Sequence, residues 1–246
     1  MRTNVAYHRP GVTLIEVLVS LTVIAVLIAI LVPSISIARK QAQKTVSLSN
    51  LRGIGQITSI YTESYRSHPF GLGGWGRPPG TGNAFLIGFG VWRADRYWPV
   101  FYHDIAPWQE HAQNWISPGA EDGDRYERLW QPDAPIATNA VWASYRYSNS
   151  FVGDPGIWSD GFDAETHVPR ATRPEELASP ARKAMFYNAE PPGFDEASPR
   201  RGVLAADSAA RSRKDSDAAD PRQNPLRSEP PAIYHDTVLG VRGSDF

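Results

Sequence analysis

His103-Asp104 and Glu110-His111 set imidazole beside carboxylate twice within one short stretch, the pairing that acid–base catalysis or a metal site would use. Their spacing matches no helical ligand pair such as H-E-x-x-H, and Pro107 and Trp108 interrupt the run. Asp154, Asp160 and Asp163, and Asp122 with Asp124, offer hard oxygens of the kind calcium takes, but neither group has the EF-hand spacing. They read first as solvated turns, so no metal and no cofactor is expected, with calcium the one ion worth testing. Gly71, Gly73 and Gly76 spell G-x-G-x-x-G, yet Arg77-Pro78-Pro79 follows where a nucleotide fold would begin a helix, so the stretch reads as a connector. With no cysteine in the chain, a disulfide framework, a thiolate metal site and a cysteine nucleophile are excluded. No catalytic residue is assigned.

A different kind of chemistry surrounds Glu16. It is the one charged residue in the stretch 12–32, where only Thr13, Glu16, Ser20 and Thr22 interrupt apolar residues. Those 21 residues would span about 31 Å as a helix, the thickness of a bilayer core. A lone carboxylate there costs about 2.5–3.5 kcal/mol on insertion and therefore calls for a partner. A cut after Gly11 would make one, because the new amine of Val12 lies a helical turn away in its own chain and within reach of Glu16 in an axially offset neighbour. Ala25 and Ala29 form a small-xxx-small pair that lets helices approach closely. Pro33 lacks the backbone donor and should bend the helix near its exit from the membrane.

The leader 1–11 carries Arg2, His8 and Arg9, which places it on the cytoplasmic side and the bulk of the chain across the membrane. Residues 1–52 hold six Arg and Lys against the single Glu16, whereas the whole chain is nearly neutral at -1. That balance argues against nucleic acid as a partner. Gly11-Val12-Thr13-Leu14-Ile15-Glu16-Val17-Leu18-Val19, behind a short basic leader and ahead of Pro33, resembles the prepilin-type cleavage and methylation motif of type IV pilins and type II secretion pseudopilins. Val12 stands where that family usually has Phe.

The resemblance implies a prepilin peptidase that cleaves between Gly11 and Val12, N-methylation of Val12, and a role for Glu16 in processing and assembly. It also implies other pilin or pseudopilin subunits as partners, and a single-pass inner-membrane protein whose C-terminal domain is periplasmic or extracellular. The protein would be a structural subunit of a pilus or pseudopilus, not an enzyme. The alternative is a membrane-tethered polysaccharide- or protein-binding domain that uses the prepilin-like front only as an anchor.

An α+β fold follows, with a long N-terminal helix, membrane-spanning in its first half, packed on a small antiparallel sheet in a pilin-like manner. The expected organisation is a leader at 1–11, a transmembrane helix at 12–32 and its continuation at 33–65. A Gly/Pro-rich linker at 66–84, an aromatic-rich globular domain at 85–190 and a polar, proline-rich, partly disordered tail at 191–246 complete it. Seven of the eight tryptophans fall within 85–158, as a core or as a stacking surface for sugars. Alternation at 141–151 reads as a half-buried strand, and 85–91, 97–102, 182–188 and 202–206 are further strand candidates. Residues 202–208, Gly-Val-Leu-Ala-Ala-Asp-Ser, are similar to the tail of prepilin-like proteins that place a His ten residues before Asp-Gly. Ala197 and Ser208 occupy the His and Gly positions, so no role is carried over.

Overall fold

The computed structural model describes residues 13–70, 92, 94–102, 105–106, 108–119, 143–189 and 199–246. The leader with Gly11 and Val12, most of the linker, the strand candidate at 85–91, His103, Asp104, Asp122 and Asp124 lie outside the described residues. The chain divides into two units, 1–42 and 43–246. Helix α1, Leu14–Tyr65, supplies the described part of the first unit and continues into the second.

In the first unit the side chains of α1 are exposed, Leu14 at 80% and Ile30 at 64% among them. Apolar residues surround the helix on all sides, the pattern of a segment whose solvent is lipid. Among the described residues, α1 is the one helix long and apolar enough to cross a membrane.

In the second unit α1 acquires a buried face. Ser47, Leu51, Ile54, Gly55 and Thr58 recur at helical spacing and are covered, while the apolar Val46 and Ile60 remain exposed. The covered face mixes small and polar side chains with apolar ones, so apolarity alone marks it poorly. The sheet beneath is four-stranded and antiparallel in the order β1 (Tyr145–Tyr147), β2 (Ala184–Asn188), β3 (Arg200–Ala205) and β4 (Ala210–Lys214). Its register pairs Tyr147 with Phe186, Tyr187 with Val203 and Leu204 with Ala210.

Adjacent residues of β2 face opposite ways, and every residue of that strand is buried, so both faces of the sheet are covered. On one face Phe186 and Leu204 join Leu51, Ile54, Trp98, Tyr102 and Trp115. Trp98 meets Tyr102, Trp115 and Phe186 edge-on at centroid separations of 4.9–5.6 Å, within the range that favours aromatic pairs. On the other face Tyr187, Ala184 and Val203 pack against Tyr234 with Ile233 and Phe246.

Two glycines let helix and sheet approach. A Cβ on Gly202 would stand 2.8 Å from Leu51 Cδ1, and one on Gly55 would stand 3.1 Å from Leu204 Cδ1. The α+β arrangement and the antiparallel sheet are those the sequence implies.

Three segments differ from the expectations. Residues 97–102 are helical, the 3-10 turn Trp98–Tyr102 following the short helix α2 (Ala94–Tyr97), because Pro99 has no N–H for a sheet ladder. Helix α3, Trp108–Trp115, was not expected. The described part of the polar tail, 199–246, carries β3 where the strand candidate 202–206 lies, and beyond it β4 and a partly buried C-terminal segment. Several of its buried polar groups find partners elsewhere in the fold: Asp245 accepts from the amide of Ala184 at 2.8 Å, and the carbonyl of His235 accepts from the amide and hydroxyl of Ser150.

Candidate functional site

The start of α1 is closed by its own side chains. The amide of Thr13 donates to Glu16 Oε2 at 2.8 Å and its hydroxyl donates to the same oxygen at 2.9 Å. The amide of Glu16 donates in return to Thr13 Oγ1 at 3.3 Å. This is a capping box: Thr before the first turn and Glu three residues on satisfy backbone donors that a helix start leaves open. The carboxylate also lies at the positive end of the helix dipole. Oε1 takes no part in these bonds and has no hydrogen-bond partner among the described residues. The Thr-x-x-Glu spacing of Thr13 and Glu16 is the sequence signal for this cap.

Beyond Glu16, three hydroxyls fold back on the helix. Ser20 donates to the carbonyl of Glu16, Thr22 to that of Leu18 and Ser34 to that of Ile30. In lipid no water would satisfy them, so this self-pairing removes their cost and leaves Glu16 as the polar group that can still engage a partner. Pro33 lies inside the continuous helix and deprives the Ala29 carbonyl of its usual donor.

A model of the prokaryotic N-terminal methylation motif matches residues 8–32. The chain carries a prepilin-like N-terminus. The match takes in Gly11, Val12, the capping box and the apolar run, about a tenth of the length, and it supports membrane anchoring by a single span. No curated protein and no solved structure matches the prepilin-like chain.

The other candidates of the sequence are separated or already engaged. In the prepilin-like protein Asp154 accepts from the amide of Gly156 and pairs with Arg170 at 2.9 Å, and Asp160 pairs with Arg222 at 2.6 Å. Asp163 is exposed and accepts from Glu165 and Thr166, bonds that hold its carboxyl below the usual range. Among the described residues no three His, Asp or Glu side chains gather where a metal could sit. The His111 ring stacks on Trp115, and Glu110 is exposed. Trp98, Trp115 and Trp158 are fully buried, which makes them core and not a sugar platform.

Residues 202–208 of the prepilin-like chain form the end of β3 and its turn into β4. Asp207 Oδ1 accepts from the amide of Ala209, and Ser208 takes a left-handed backbone with φ of 67°. A glycine after Asp207 would suit that turn by conformation alone.

Proposed function

We propose that this protein is a structural subunit of a type IV pilus or a type II secretion-like pseudopilus. A prepilin peptidase would cut after Gly11, leaving Val12 as the N-terminal residue and as the site of N-methylation. The span 12–32 would hold the subunit in the inner membrane until assembly, with Pro33 as the point where the helix can bend, and the residues after it would lie on the periplasmic or extracellular side. Other pilin or pseudopilin subunits would be its partners.

The match at residues 8–32 carries this reading. The geometry of Glu16 supports it: an amine freed at Val12 would arise next to Thr13, whose amide and hydroxyl already hold Oε2, with Oε1 open to a second chain. Nothing in this role requires the subunit to be an enzyme.

Mass spectrometry of the N-terminal peptide from cells with and without an active prepilin peptidase tests the proposal. The expected result is a chain beginning at Val12, with or without an added methyl group, only when the peptidase is active. An intact leader in both samples would overturn it.

A further inference from the structure

Where α1 crosses β3 and β4, Lys44, Ser47, Arg200, Arg201, Gly202 and Ser212 enclose an open niche of about 30 Å³. Leu48 also lines it. Lys44 and Arg200 are exposed, and among the described residues neither has a carboxylate within 4 Å. Arg200 is steadied by its contacts to the side chain and carbonyl of Ser212, while the Arg201 guanidinium is committed to Asp215.

Ser47 is 3% exposed and differs from the other helix hydroxyls. Thr58, Ser59 and Ser64 donate to the carbonyl four residues back. Ser47 Oγ instead accepts from Asn188 Nδ2 at 3.1 Å and from Tyr145 Oη at 3.2 Å, a hydroxyl that also reaches the Ser47 carbonyl at 3.3 Å; while Tyr145 donates to Oγ, the Ser47 hydrogen can serve an acceptor in the niche. Two cations without a carboxylate neighbour beside a buried hydroxyl suit an anion that accepts hydrogen bonds. The volume is that of about two waters, which suits the two oxygens of a carboxylate and not a larger head.

We propose that this niche is a carboxylate-binding site, filled by a small organic acid or by an Asp or Glu side chain of a second copy of this chain. The second source rests on the assembly reading above, because Lys44 and Ser47 lie on the helix through which subunits would pack. The site itself does not depend on it.

Sodium acetate titrated into the full chain in detergent micelles, at constant pH and ionic strength, tests the chemistry through the amide resonances of Ser47, Gly202 and Ser212. The expected result is a saturable shift confined to those residues, weakened tenfold or more in Lys44→Gln/Arg200→Gln and kept in Lys44→Arg. A linear shift of equal size in all three proteins would overturn the proposal.

The source is read by carbodiimide coupling of sheared filaments built from mixed light and heavy isotope-labelled chains. An amide from Lys44 to an acidic residue of the other isotope supports the neighbouring subunit. Acetate binding without that amide supports the small acid. Absence of the chain from filaments removes the assembly reading and leaves the acetate result standing.

Discussion

Lys183 Nζ lies 3.0 Å from Asp245 Oδ2, and both side chains are buried. Thr237 bridges them, accepting from the lysine and donating to the other carboxylate oxygen. Burial pushes the lysine pKa down and Asp245 opposes that shift. The pair fastens the second-to-last residue of the chain to the start of β2. Lys183→Met should therefore cost about 3–5 kcal/mol, because it strands a buried carboxylate. Adding Asp245→Leu should return part of that loss. Urea unfolding of the full chain in micelles, followed by fluorescence of the buried tryptophans, measures both. Equal stability of Lys183→Met and the parent would show that the pair contributes nothing.

The turn between β3 and β4 offers a gain. Ser208 holds φ at 67°, a conformation that disfavours residues with a Cβ. Its hydroxyl meets Ser59 Oγ at 3.2 Å on an exposed surface, a contact of little value. Ser208→Gly is expected to stabilise the fold by roughly 0.5–1 kcal/mol, read as a higher urea midpoint with unchanged slope.

Acid should loosen the second unit through its histidines. Burial lowers the His68 pKa from its usual value to about 4, and among the described residues neither ring nitrogen has a partner. Burial also pushes His235 well below the ordinary range. Between pH 6.5 and 4 the unfolded chain binds a proton that folded His68 refuses, so stability falls as pH falls through that window. The loss from His68 is roughly 3 kcal/mol when complete. Burial raises Asp95 and Asp236, which act in the opposite sense because the folded state holds their protons longer. The histidine contribution is therefore isolated as a difference. His68→Phe should lose less stability than the parent between pH 7 and 4.5, and parallel curves would count against it.

The front of the fold is legible because lipid-facing sequence is uniform, whereas the second unit hides part of its design. β2 and β3 announce themselves through Met185-Phe186-Tyr187 and Val203-Leu204-Ala205, runs that are apolar because both faces are covered. β4 does not, since in Ala-Arg-Ser-Arg-Lys only Ala210 is buried and the charges suit an edge strand. The C-terminal segment reads as a polar tail, but Asp236, Thr237 and Asp245 are buried against partners far away in sequence, such as Trp158, Ser150 and Lys183. Long-range pairing of that kind leaves no periodic trace. The niche at Ser47 is hidden for the same reason: its walls come from α1, β3 and β4, and nothing in the local sequence joins them.

Glu16 carries two separable roles, and one substitution distinguishes them. As the third helical residue it closes the capping box with Thr13, which needs only an acceptor oxygen. As a charge in an apolar span it needs a cation, which assembly would bring as the amine of Val12. Glu16→Gln keeps an oxygen for Thr13 and removes the charge, so the helix start should persist and membrane insertion should be unchanged or improved. Recovery in sheared filaments should fall by about tenfold, the equivalent of roughly 1.4 kcal/mol in subunit association. Glu16→Ala removes both roles and should assemble no better than Glu16→Gln. If Gln assembles like the parent while Ala does not, the helix cap is what assembly requires and the charge pairing is absent.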